Sequence, residues 1–134
     1  MGQGGRYPAA IMKIACIGGG PGGLYVCLLL KKRFSGAQIT VYERNGPDDT
    51  SGWGVVFSSD TLSGFQTADP EGYAVIEASV AYWDDVGTHY GGEITRSTGH
   101  GFCGLSRKRM LNIFQERCRD LDVALRFETE VADD

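Results

Sequence analysis

Apolar and polar positions change period several times along the chain, and each change marks an element. Ile14-Ala15-Cys16-Ile17 and Ile39-Thr40-Val41-Tyr42 are short apolar runs of the length a strand shows. Between them, Pro21 to Phe34 is apolar nearly all round from Leu24 to Leu30, which predicts a helix buried against the sheet. Lys31, Lys32 and Arg33 crowd its last turn, where cations complement the helix dipole, and Gly36 is the expected stop. Ser58 and Ser59 are suited to cap a short helix around Asp60 to Phe65. Asp69-Pro70 predicts the next helix, with Asp as N-cap and Pro at the first helical position, ending near Ser79. Val80 to Tyr90 and Glu93 to Ser97 predict a β-hairpin turning at Gly91-Gly92. Ser106 caps a helix from Arg107 to about Asp120, whose Met110, Leu111, Ile113, Phe114, Cys118 and Leu121 recur at helical spacing and form a core face. Alternation of Val123, Leu125 and Phe127 with Ala124, Arg126 and Glu128 predicts a final half-buried strand to Val131.

The first strand, helix and second strand enclose a glycine-rich turn. Gly18, Gly20 and Gly23 fit Gly-x-Gly-x-x-Gly, and Glu43 follows the last of them by twenty residues, at the end of the second strand. Strand, turn, helix, strand and acid in that order are the fingerprint of a dinucleotide-binding βαβ unit. Gly18 lets the chain turn out of the strand. Gly20 lets a pyrophosphate approach bare backbone, and Gly23 lets the helix lie close on the strand. The free N–H groups at the helix start favour anions. Glu43 is placed to accept hydrogen bonds from a ribose hydroxyl.

Other segments carry weaker signals. The loop from Arg44 to Ser51 leads into Gly52-Trp53-Gly54-Val55-Val56-Phe57. These glycines either let backbone approach a flat ligand or mark a bulged strand with a buried Trp53. Asp84 and Asp85 are adjacent, so in one strand they point to opposite faces and do not form an acid/base pair. His89 reads as a solvated side chain. His100, between Gly99 and Gly101, reads as a plain loop histidine, with a place near a substrate as the other option. Arg107, Lys108 and Arg109 open a helix where the dipole disfavours cations, at a cost of about 0.3–1 kcal/mol each if exposed. They mark either a solvated basic patch or an anion site, for which arginine's fork is suited.

Composition narrows the classes. The 134 residues suffice for one small domain, and 42% hydrophobic with 22% charged residues is ordinary for a soluble globular protein. A net charge of −4 gives no general attraction to nucleic acid or anionic membrane. The four cysteines show no Cys-x-x-Cys spacing, so no metal site is expected and a reduced, cytoplasmic protein is the simplest expectation. No apolar run reaches the length of a membrane span. Residues 1–11 read as a disordered leader, with Met12 as a candidate natural start.

Gly18 to Gly23, Val41-Tyr42-Glu43-Arg44, Gly52 to Phe57, His100-Gly101-Phe102 and Arg107-Lys108-Arg109-Met110-Leu111 together resemble the start of the single-component FAD-dependent aromatic-ring hydroxylases. Within that family they look most like the group acting on salicylyl-CoA and 2-aminobenzoyl-CoA. The resemblance implies an α/β fold: a partial Rossmann-like FAD-binding domain of the glutathione-reductase type, with a parallel sheet and a β-hairpin excursion. It implies FAD as cofactor, with Gly18, Gly20, Pro21, Gly22 and Gly23 at the pyrophosphate and Glu43 at the adenosine ribose. Arg44 would lie on the adenine side, Arg107 on the cofactor, and Trp53, Gly54 and Val55 near the isoalloxazine. NADH or NADPH would supply electrons, and an aromatic ring, with an aryl-CoA thioester as one candidate, would be hydroxylated. No catalytic side chain is assigned. The later Asp-Gly and Gly-Asp segments of that family have no counterpart here, since neither dipeptide occurs. Residues 12–134 are therefore expected to be the N-terminal part of the FAD-binding domain, inactive by itself. An NAD-binding dehydrogenase domain and a non-catalytic nucleotide-binding remnant are the alternatives.

Overall fold

The computed structural model describes residues 11–132, so the expected leader lies, apart from Ile11, outside the described residues. Three parallel strands, β1 (Lys13–Ile17), β2 (Gln38–Tyr42) and β8 (Ala124–Arg126), form one sheet in the order β1-β2-β8. Ile14 pairs with Ile39 and Cys16 with Val41, so the apolar sets of β1 and β2 share one face. Helix α1 (Pro21–Arg33) and helix α4 (Arg107–Asp120) pack side by side on that face. The core runs through Leu24, Cys27, Leu28, Ile39, Val41, Phe114 and Cys118. On the opposite face Lys13, Ala15 and Ile17 are exposed, although parallel sheets are ordinarily covered on both sides.

A second sheet is antiparallel, in the order β3 (Gly54–Phe57), β7 (Phe102–Ser106), β4 (Ala81–Trp83). Its inner face, through Phe57, Cys103 and Leu105, joins the core under α2 (Ser59–Ala68), α3 (Pro70–Glu77) and α4. Phe65 meets Tyr25 and Phe57 edge-on, with ring centroids 5.0 and 5.5 Å apart, and so binds the two sheets' cores. The hairpin β5 (Val86–Tyr90) and β6 (Glu93–Ser97) stands apart and exposed. Gly91 and Gly92, at φ +59° and +85°, supply the positive dihedrals of its two-residue turn.

Several expectations need correction. The segment 80–90 is two strands, not one. The backbone leaves the ladder at Asp84 and Asp85, and β4 pairs with β7 instead. Asp84 is therefore not a strand residue: its carboxylate accepts from the Gly99 and Gly101 N–H groups, at 3.0 Å each. Strand β7 (Phe102–Ser106) is a further departure, its alternation hidden by Gly104. Helix α1 buries one stripe, Leu24, Cys27 and Leu28, and leaves Val26 54% exposed. It stops at Phe34 rather than through Gly36, with Lys31 Nζ donating to the Ala37 carbonyl at 2.7 Å. Helix α2 runs to Ala68, beyond the expected end at Phe65. The last strand covers only three residues, because Glu128 at φ +52° breaks the extended run.

Asp69 precedes Pro70 as expected but does not cap α3 with its side chain. Its carboxylate is 3% exposed and takes hydrogen bonds from Arg117 Nε and Nη2 of α4 and from Lys32 Nζ of α1, the last at 2.7 Å. Glu71 joins the same group through Arg117. A Cβ on Gly72 would lie 2.3 Å from Asp69 Oδ2, so the absent side chain makes room for the carboxylate.

Candidate functional site

The glycine turn is built by close approach on one side and open space on the other. A Cβ at Gly23 would sit 2.3 Å from the Gly18 carbonyl oxygen, so the first turn of α1 lies directly on the turn it follows. Gly18 has φ +104°, which a side chain would strain. A Cβ at Gly20 would meet nothing within 4 Å. Helix α1 begins with Pro21 at N1, no side-chain cap and no acid in its first turn. Its first-turn N–H groups thus have no capping side chain, and an anion there is favoured by their partial positive charge.

Glu43 follows β2 and closes this turn. Gly19 N–H donates to its Oε2 at 2.7 Å and Asn45 N–H to its Oε1 at 2.9 Å. The Asn45 hydrogen bond lowers the carboxyl most. Partial burial opposes it, and Gly19 and the Arg44 charge add to the lowering, so Glu43 is held charged below the usual carboxylate range. Each oxygen keeps lone pairs free to accept from a diol.

Two hollows of about 260 Å³ each flank this carboxylate. Each is smaller than the roughly 300–1,000 Å³ that holds a whole small ligand, so each suits part of one. One brings Gly19, Gly20, Glu43 and Arg44 together with Arg107, Leu111 and Gln115 of α4. Arg107 is fixed there by Nε donating to Thr50 Oγ1 at 3.1 Å, and its backbone N–H donates to the Trp53 carbonyl at 3.3 Å. The other hollow lies between Ile17, Gly18, Tyr42, Glu43 and Arg44 on one side and Thr129, Glu130 and Val131 on the other. Thr129 N–H donates to the Glu43 carbonyl at 2.9 Å and Glu128 N–H to Asn45, which draws the segment after β8 alongside.

The structure thus assembles Gly18, Gly20, Pro21, Gly22, Gly23, Glu43, Arg44 and Arg107. Trp53, Gly54 and Val55 lie elsewhere, on an open apolar trough formed with Val56, Ala81, Trp83 and Gly104. Trp53 is 97% exposed, so the buried-Trp alternative is excluded: its chain turns outward where its carbonyl meets Arg107. His100 is exposed, hydrogen-bonded to Ser97 Oγ at 2.7 Å and stacked on Phe102, away from both hollows. Gln115 and the 129–131 segment were missed. A polar residue inside the apolar stripe of α4 was the available signal for the first; the second depends on backbone pairing that spacing does not reveal. Burial pushes the Cys27 and Cys118 thiols up to about 12, which leaves both unreactive at neutral pH.

N–H donors and a guanidinium on one side of a carboxylate, with a slot of mixed polar and apolar lining on the other, suit a nucleoside diphosphate: pyrophosphate, diol and base in that order. This defines the chain as an α/β unit with dinucleotide-binding architecture. Over its matched residues the chain is similar to curated hydroxylases and monooxygenases. It is 46% identical over 122 residues to a salicyloyl-CoA 5-hydroxylase of Streptomyces sp, covering 91% of this chain and 24% of that protein. It is 28% identical over 122 residues to 3-hydroxy-4-methyl-anthranilyl-[aryl-carrier protein] 5-monooxygenase of Streptosporangium sibiricum, covering 91% and 34%. The fold matches 2-methyl-3-hydroxypyridine-5-carboxylic acid oxygenase with a TM-score of 0.78 at 18% identity, over 93% of this chain and 34% of that one. The chain therefore spans about a quarter to a third of these proteins. No protein-family model matches it. No helix among the described residues is long and apolar enough to cross a membrane, and no group of described side chains is arranged to hold a metal.

Proposed function

We propose that this chain is the FAD-binding portion of a flavin-dependent monooxygenase that hydroxylates an aromatic ring, with an aryl-CoA thioester as the favoured substrate class. The observation that carries this is the Gly19–Glu43 hydrogen bond, which sets a charged acid beside an uncapped helix start and opposite Arg107. The pyrophosphate lies on the N–H groups of Gly20, Gly22 and Gly23, with Arg107 balancing its charge. Glu43 takes the ribose hydroxyls, and the base enters the slot beside Arg44 and Val131. Bound there, FAD would supply the redox chemistry of the hydroxylation, with NADH or NADPH as electron donor, one atom of O2 going to the ring and the other to water. The open apolar trough around Trp53 and Trp83 flanks the ring system and offers it an apolar surface. The substrate class is supported by the salicyloyl-CoA and aryl-carrier-protein enzymes among the relatives.

Titration of the purified chain with FAD, followed by flavin fluorescence, tests the site. Saturable binding lost in Glu43→Ala is expected. Binding of NAD with no response to FAD would replace this proposal with a dehydrogenase domain. Hydroxylation is expected to need more polypeptide than these 134 residues. Steady NADH- or NADPH-dependent O2 consumption by the chain alone would contradict that.

A further inference from the structure

Two polar side chains are buried among the described residues, Asp69 and Gln115. Asp69 is answered by Arg117 and Lys32. Gln115, 4% exposed, is answered at one atom: its Nε2 donates to the Pro47 carbonyl at 2.9 Å. A carbonyl oxygen only accepts, so the amide NH2 must face Pro47 and the amide orientation is fixed. Gln115 lines the hollow that holds Gly20, Glu43 and Arg107.

Arg107, Leu111 and Gln115 stand four residues apart on α4, so they run along the hollow for about 12 Å. Arg107 ties down Thr50 at one end of the 44–51 loop, and Gln115 ties down Pro47 nearer the other. The Lys108–Asp48 pair between them is exposed and contributes little. We propose that Gln115 is a positioning residue: its amide holds the 44–51 loop across the hollow in the form that accepts the dinucleotide's pyrophosphate. This rests on the FAD site proposed above. Without the tether the loop samples other positions, and apparent affinity falls with the fraction that remains competent.

Gln115→Met keeps the volume and removes the donor, and the exposed Pro47 carbonyl can then turn to water. In the full chain it is expected to weaken FAD binding about fivefold. Binding of adenosine, which lacks the diphosphate, should be unchanged, and backbone amides of 44–51 should exchange faster in the ligand-free protein. Gln115→Leu, which is also neutral, of similar bulk and without a donor, should behave alike. Unaltered loop exchange, unaltered FAD affinity, or an equal loss for FAD and adenosine would overturn the assignment. If the unsubstituted chain binds FAD and only Glu43→Ala loses it, the positioning role alone fails. If the unsubstituted chain does not bind FAD, both proposals fail together.

Discussion

The Gly19 N–H points into the carboxylate of Glu43, 24 residues on, at 2.7 Å from Oε2. The turn and the acid are thus one unit, and the acid's position is set before any ligand arrives. Glu43→Gln keeps the shape but presents an amide where two N–H groups already donate. A loss of about tenfold in FAD affinity is expected, measured by fluorescence titration. Because Asn45, Gly19 and Arg44 hold the carboxyl below its usual range against the opposing effect of burial, it is charged throughout the neutral region. Binding should stay flat from about pH 8 to pH 5 and decline only when the pH falls through that lowered value.

Gly20 and Gly23 should separate ligand binding from folding. A Cβ at Gly23 runs into the Gly18 carbonyl, which is backbone and cannot swing aside. Gly23→Ala is expected to cost about 1–3 kcal/mol of stability in a denaturant titration. A Cβ at Gly20 meets no protein atom. Gly20→Ala should leave stability within about 0.5 kcal/mol while the methyl occupies space needed by the pyrophosphate, and FAD affinity should drop. Equal effects of the two on stability would contradict this division of roles.

Trp53 offers a direct reporter for the trough. At 97% exposure its side chain supports little of the fold, so Trp53→Ala should change stability by less than about 0.5 kcal/mol. If the flavin ring lies over Gly54 and Val55, indole emission is quenched on FAD binding, and Trp53→Phe removes most of that quenching. Quenching that persists unchanged in Trp53→Phe would assign it to Trp83, the other tryptophan of the trough, and would remove Trp53 from the ring's contacts.

What could be read in advance follows from how local each signal is. The βαβ unit, the Ser106 cap and the core face of α4 are written in short windows, and all three are present in the fold. Strand β7 was illegible because Gly104 faces Trp83, with a built Cβ only 3.0 Å from the ring, so an alternating apolar residue is excluded there. The break at Asp84 was illegible for a related reason. Its carboxylate is held by two glycine N–H groups that are distant in sequence. Asp69 looked like a cap because Asp-Pro usually is one. Its true partners come from two other helices, and no spacing rule links residues 32, 69 and 117.

That three-helix junction makes the fold acid-sensitive in a defined window. Burial alone would raise the Asp69 carboxyl, but hydrogen bonds from Arg117 and Lys32 outweigh it and bring it down to about 2, from an ordinary value of 3.8. A group lowered on folding stabilises the native state above its unfolded value and ceases to do so as pH falls through the folded one. The contribution, about 2 kcal/mol, is therefore complete above about pH 5, falls progressively below it and is largely lost by about pH 2. Asp69→Asn removes it at every pH and leaves the Arg117 and Lys32 charges without their buried partner, with Glu71 still beside them. At pH 7 the variant should be less stable by about 2 kcal/mol or more in urea titration. Between about pH 5 and about pH 2 the gap between the two proteins should close, because the unsubstituted protein loses what the variant already lacks. A gap that stays constant down to pH 2 would mean that Asp69 acts through packing around Gly72 rather than through its charge.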